Sequence, residues 1–224
     1  MNDAHPKMEN QWLGRISYGE GLTLQNDAVT RRREGAMPDT VFMLEHDPVY
    51  TIGRTNDHSS LNEESSELPY PVFETNRGGQ ATYHGPGQLV GYPVIDLRSY
   101  GQDLHTYLRS IERALVDCCS QFGVTGTTRR GLTGVWCEDR KIASIGIGVR
   151  HWISMHGFAI NVCGDLTPFE HITPCGIGGV KMTSVSREAG HGINLQEFAS
   201  AAFASLQCEL ATLIQPGTSP DPVR

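Results

Sequence analysis

The chain has 224 residues, 38% of them hydrophobic and 19% charged, and a formal net charge of -7 at pH 7. This is the composition of a globular protein with material for one sizeable core. The acidic balance argues against general nucleic-acid binding, and no apolar run approaches the roughly 18 residues that span a bilayer. The opening MNDAHPKMEN lacks the apolar centre of a signal peptide, so a cytoplasmic protein with no membrane or nucleic-acid partner is expected. Six cysteines (Cys118, Cys119, Cys137, Cys163, Cys175 and Cys208) include no C-x-x-C pair. In a reducing compartment neither a zinc site nor a disulfide framework is favoured, and no metal is expected.

A single domain over 1–224 is expected, with residues 1 to about 10 and the tail 216–224 disordered. Tyr18 to Arg33 reads as a helix, with Leu22, Gln25, Ala28 and Val29 near one face. Its end, Arg31-Arg32-Arg33, suits a helix C-terminus and is expected to be a solvated cap. VFMLEHDPVYTIGR reads as two short strands joined at His46-Asp47-Pro48. Residues 55–68 are polar and acidic, an expected exposed loop, and Val72 to Thr75 begin a further strand.

Next comes RGGQATYHGPGQLVGYPVIDL, from Arg77 to Leu97, with five glycines and two prolines among β-branched and aromatic residues. Glycine weakens a strand, so its repetition points to sharp turns or close backbone approach. Gly78-Gly79 would let a loop lie against a ligand, bracketed by Arg77 and His84. A glycine-rich hairpin between core strands fits the local pattern equally well. QLVGYPVIDL reads as a strand buried on both faces.

Asp103 caps a helix running to Phe122, with Leu104, Leu108, Ile111, Leu115, Cys118 and Phe122 on its apolar face. Cys118 and Cys119 are thus read as core or half-buried helix residues, not ligands. Thr127 to Arg130 read as a basic loop. GVWCE, KIASIGIGV and HWISMHGFAINV then form an antiparallel meander, the first two joined by a tight turn at Glu138-Asp139-Arg140. Asn194 with Glu197 resembles a capping box opening a last helix to about Ala211. Strands and helices mix without regular βαβ alternation, which points to α+β.

Only three of the eighteen cationic residues are lysines, Lys7, Lys141 and Lys181. Lys141 opens a strand with no further charge up to Val149. It either reaches into a cleft at the sheet's end or guards a strand edge. Cys175 lies in ITPCGIGG, wedged between Pro174 and Gly176, which is a tight turn and not a packing position. Burial as an ordinary apolar side chain suits Cys163 and Cys208 better. At the Cys175 turn the N-H groups of Gly176 and its neighbours could face an oxyanion. The thiol becomes nucleophilic if a cation favours its thiolate; Lys141, His84 and His156 are the candidates.

Four blocks in register resemble the lipoyl(octanoyl) transferase family: LEHDPVYTIGR, RGGQATYHGPGQLVGYPVIDL, GVWCEDRKIASIGIGVRHWISMHGFAIN and ITPCGIGGVKMTSV. The resemblance covers nearly all of Tyr18 to Leu210. It implies a mixed β-sheet flanked by helices, similar to the catalytic domain of biotin and lipoate protein ligases. It implies transfer of octanoyl from octanoyl-acyl carrier protein to a lysine of lipoyl domains, the first step of endogenous protein lipoylation. The acceptors would be the E2 subunits of 2-oxoacid dehydrogenases and the glycine cleavage H protein. No cofactor would be needed, and a monomer is expected. Cys175 matches the family's acyl-thioester cysteine and Lys141 its thiolate-promoting lysine. The acyl-binding segments match Arg77, Gly78, Gly79, Gln80, Ala81, Thr82, Tyr83 and His84; Ser144, Ile145 and Gly146; and Gly157, Phe158 and Ala159.

Three rival readings stand beside this one. An ATP-dependent lipoate ligase on the same fold would need an adenylate and no cysteine. A non-catalytic acyl- or lipoyl-domain-binding module would tolerate loss of Cys175. A thioesterase would pass the acyl group to water.

Overall fold

The structure, a computed structural model, describes residues 8–54, 58–62 and 65–214, and at Cys175 the backbone alone. Strand β1 (Met8–Ile16) leads through a cap at Ser17 into helix α1 (Tyr18–Arg33). Then come β2 (Asp39–His46), β3 (Val49–Ile52), β4 (Val72–Glu74), β5 (Thr82–His84) and β6 (Gln88–Val94). Helix α2 (Leu104–Gln121) precedes β7 (Thr127–Arg129), β8 (Leu132–Cys137), β9 (Arg140–Arg150) and β10 (Ile153–Asn161). The two-residue β11 (Lys181–Met182), short α3 (Val185–Ala189) and α4 (Leu195–Ala211) complete the described chain.

The main sheet runs β1-β2-β6-β10-β9-β8-β7, with β11 added beside β9. β1 pairs parallel with β2 and β11 with β9, and the other neighbours are antiparallel. The α+β expectation and the mixed sheet flanked by helices therefore hold. Every residue of β6 is buried, because the sheet is covered on both faces. Leu89 joins the core beneath α2 and α4, while Val90, Tyr92 and Val94 join the one beneath α1. This is the period-two alternation of a strand expressed toward two apolar layers. A small second sheet, β4-β3-β5, brings the glycine-rich segment back across the main one.

α1, α2 and α4 begin and end within about a residue of the expected positions. Asp103 caps α2 by accepting from the backbone N-H groups of His105 and Thr106, and Asn194 caps α4 by accepting from that of Glu197.

Other expectations are corrected. Residues 8–10 are not disordered: they open β1, the sheet's outer strand, and pair with Asp39–Val41 of β2. Residues 1–7 and 215–224 lie outside the described residues. The basic stretch at 127–130 is largely strand, β7, pairing with β8. Within the acidic loop Ser60 and Leu68 are buried and Leu61 bridges to Ile172; residues 55–57 and 63–64 are outside the described part. Leu104 is 40% exposed, because it is the first helical residue and the buried stripe of α2 begins at Tyr107. Cys163 and Cys208 are exposed, not core, whereas Cys118 and Cys119 are fully buried. The arginine run is not all solvated. Arg32 sits 2.6 Å from Asp39, with side chains 12% and 1% exposed, and so ties α1 to β2.

Candidate active site

The three segments singled out for acyl binding meet in one slot. It is lined by Arg77, Gly78, Gly79, Thr82 and His84; by Ser144, Ile145 and Gly146 of β9; and by Gly157, Phe158 and Ala159 of β10. Tyr18 of α1, Val90 and Tyr92 of β6, and His156 complete the wall. Sequence reading missed Tyr18, Val90 and Tyr92 as lining residues. Val90 and Tyr92 share one face of β6 by alternation, but which face meets the slot depends on sheet order. Gln80, Ala81 and Tyr83 do not line it. Strand alternation in β5 turns Thr82 and His84 inward and sends Ala81 and Tyr83 into a cluster with Tyr50 and Phe169.

The glycines permit close backbone approach. A Cβ at Gly146 would stand 2.6 Å from the carbonyl oxygen of Gly78, and Gly78 N-H donates to Ile147 O at 3.2 Å. The loop from Arg77 thus docks directly on β9, and any larger residue at 146 pushes it off. Arg77 is 8% exposed and knits the loop to β3. Its Nη2 donates to Thr51 O, Thr51 Oγ1 and Gln80 O, each at 2.8 Å.

Burial disfavours the charged form of the histidines of this region, and their amide partners suggest the tautomers. Burial, with His46 and the Arg77 charge adding to it, holds His84 well below the ordinary histidine range. Its Nδ1-H donates to Gln88 Oε1 at 2.8 Å. Burial and then Arg77 lower His156 to about 4; its Nε2-H donates to Asn76 Oδ1 at 2.6 Å. Burial also lowers His46. Burial therefore disfavours a charged His84 or His156 as the cation that would favour a thiolate, and Lys141 stays a candidate for that role.

Lys141 is fully buried, in the second position of an interior strand, so it guards no edge. Its Nζ lies 5.3 Å from the ring centre of Trp136, and the Arg129 guanidinium lies 4.6 Å from the same ring. A cation against an indole face keeps part of the stabilisation it loses on leaving water. A chain of hydrogen bonds joins this strand to the glycine-rich segment. Thr183 N-H donates to Lys141 O at 2.9 Å, Asn161 Nδ2 to Thr183 O at 3.0 Å, and Gln88 Nε2 to Asn161 Oδ1 at 3.0 Å. Gln88 in turn accepts from His84.

Cys175 lies, as read, in a tight turn, the helical turn Pro174–Gly176. Gly176 has φ +67° and abuts the acyl loop: a Cβ there would overlap Gln80 Oε1. The expectation of an oxyanion site is corrected for two of its N-H groups: those of Gly176 and Ile177 close the turn onto Thr173 O at 2.9 Å and Pro174 O at 3.1 Å.

A mixed sheet with helices on both faces carries a glycine-lined slot over its centre. Among solved structures, the bi-partite lipoate protein ligase of Thermoplasma acidophilum superposes with a TM-score of 0.75 at 16% identity, over 92% of this chain and 84% of that one. Biotin protein ligase from Aquifex aeolicus superposes at 0.54 with 10% identity, over 91% and 69%. At these identities the likeness is one of fold. Residues 17–207 match the lipoyl protein ligase A/B catalytic domain. The octanoyltransferase of Geobacter sulfurreducens is 49% identical over 193 residues, 86% of this chain and 80% of that protein. That of Syntrophotalea carbinolica is 44% identical over 205 residues, 92% and 95%. The chain belongs to the lipoyl protein ligase A/B catalytic-domain family and, within it, to the octanoyltransferases, which are acyltransferases.

Proposed function

We propose that the protein transfers an octanoyl group from octanoyl-acyl carrier protein to a lipoyl-domain lysine through a thioester on Cys175. The observation that carries this reading is the convergence of the Arg77, Ser144 and Gly157 segments on one slot beside the Cys175 turn. The slot has a cavity volume of about 40 Å³. That is room for little more than a few waters, so an eight-carbon chain enters as the lining side chains give way. Burial of about six methylenes at ~0.8 kcal/mol each then contributes roughly 5 kcal/mol.

In the first half-reaction the Cys175 thiolate attacks the thioester carbonyl. The carbon-sulfur bond to the carrier breaks, and the departing thiolate takes a proton from the Lys141 ammonium. In the second, the lipoyl lysine amine attacks octanoyl-Cys175 and Lys141, now neutral, accepts its proton. The thioester bond breaks and the thiolate-ammonium pair is restored. An acyl thioester is already activated, so no nucleotide enters. Lys141 thus serves as thiolate partner, acid and base in turn. The test is octanoylation of an isolated lipoyl domain by octanoyl-acyl carrier protein with ATP and magnesium left out. Transfer under those conditions is expected. Transfer only with ATP would make the protein a ligase, and release of free octanoate alone would make it a thioesterase.

A further inference from the structure

Both halves of a thioester need a place, and the acyl slot accounts for one. A second and larger cavity, about 670 Å³, lies against the same turn. Thr173, Pro174 and Ile177, on either side of Cys175, form part of its wall. The two cavities share no lining residue. They meet at the turn itself: Gly176 abuts Gln80, whose neighbour Gly79 lines the acyl slot. The Cys175 backbone thus belongs to a turn that borders the second cavity on one hand and, through Gly176 and Gln80, the loop of the acyl slot on the other.

The chemistry of that cavity suits the substituent. Apolar side chains such as Phe169 and Ile177 line it beside the polar Thr173. Its charged lining comprises Arg140, Lys181 and Arg187 against one acid, Glu170. Arg140 is already held by Glu188, at 2.9 and 3.0 Å, and by Glu138 at 2.9 Å. Lys181 and Arg187 are exposed, and Lys181 stands on β11 directly beside the Lys141 strand. In a protein of net charge -7, a cavity lined by three cations and one acid suits an anionic, flexible, part-polar ligand.

We propose that this cavity takes the phosphopantetheine arm of the acyl donor, with Lys181 and Arg187 meeting its phosphate; the inference rests on the octanoyltransferase reading above. The arm enters past the two cations, lays its amides and dimethyl group along the mixed wall, and delivers its sulfur at Cys175. After transfer the free thiol leaves by the same route.

The experiment measures Cys175 loading by intact mass with three donors: octanoyl-pantetheine, octanoyl-phosphopantetheine and octanoyl-acyl carrier protein. Wild type is compared with the double variant Lys181→Ala/Arg187→Ala, whose altered side chains are exposed and leave the core untouched. Wild type is expected to load the phosphorylated small donor about fivefold faster than the unphosphorylated one. In the variant that ratio falls toward one, and loading from the carrier protein falls by a similar factor. A ratio near one in wild type, or one unchanged in the variant, overturns the proposal. So does a loss confined to the carrier protein, which would make these cations readers of its surface, or a loss confined to delivery, which would make the cavity an acceptor site. If no donor labels Cys175, the octanoyltransferase reading itself falls, an outcome separate from all of these.

Discussion

Gly146→Ala places one methyl group where the structure has no room for it. The new Cβ would stand 2.6 Å from Gly78 O and 3.4 Å from Arg77 Cδ, whereas ordinary carbon contacts lie at about 3.5–4.0 Å. The nearer obstacle is backbone and cannot rotate away, so the 77–80 loop must retreat by about 1 Å. Retreat stretches the bond from Gly78 N-H to Ile147 O, now 3.2 Å, at a cost of about 0.5–1.5 kcal/mol. Overpacking strain adds about 1–3 kcal/mol if the loop stays docked. Because the loop can detach instead, the folded state should lose less than about 2 kcal/mol, read from the urea midpoint. Octanoyl loading should suffer more. A wall of the acyl slot has moved by about 1 Å, and a displacement of that size costs about a hundredfold in a positioned reaction. Loading is followed by intact mass at limiting donor. Loading within about twofold of wild type, with stability unchanged, would mean that the loop does not dock on β9 and would refute the reasoning.

Acid should expose the buried histidines. His156 titrates near 4 in the fold and near 6.5 unfolded, so no pH dependence arises from it above about 6.5. As pH falls toward 4 the unfolded chain takes up a proton that the fold refuses, and stability drops by up to about 3 kcal/mol. His156→Asn, which tolerates the local φ of +57°, should flatten the fall of urea-derived stability between pH 6.5 and 4; an unchanged slope would contradict the assignment. Arg32→Ala should cost about 2–3 kcal/mol, less than the full loss of a buried pair, because Asp39 keeps bonds from Tyr100 Oη and Asp96 N-H. A urea midpoint that does not move would mean that the α1-β2 tie contributes nothing. Lys141→Ala should raise the apparent pKa of Cys175 alkylation by about one to three units. Lys141→Arg should preserve that pKa yet deliver octanoyl poorly, since arginine does not give up its proton. Superimposable alkylation curves for the three proteins would remove Lys141 as the thiol's partner.

What was legible in the sequence is what repeats locally. The helices showed through their caps and apolar stripes, and the meander through runs such as KIASIGIGV. The acyl segments showed through glycines that have no other use in a strand. Edge elements were not legible. MENQWLGRI mixes polar and apolar residues because an outer strand has one neighbour and little core to face, and TTR is a strand only because β8 lies beside it. Side-chain partners were hidden even at short range. Asp39 lies only seven residues beyond Arg32, and Trp136 stands opposite Lys141 across the β8-β9 turn, yet no local pattern says that these side chains meet. The ligand loop and the hairpin were offered as alternatives for the Arg77 stretch. The hairpin is not what forms, because β5 pairs with β3 in the small sheet while β6 pairs with β2 and β10 in the main one, and Gly78 lies against Gly146. Cys163 was misjudged because the exposure of a lone cysteine depends on its neighbours in space.

The central claim is that octanoyl passes through a thioester on Cys175. Incubating the protein with octanoyl-acyl carrier protein, recording its intact mass, mapping the adduct by peptide fragmentation and then adding a lipoyl domain tests it directly. One octanoyl adduct is expected, on Cys175, sensitive to hydroxylamine and discharged onto the lipoyl lysine in a single turnover. An adduct on another residue, or octanoylated lipoyl domain formed at an undiminished rate by Cys175→Ala, would contradict it.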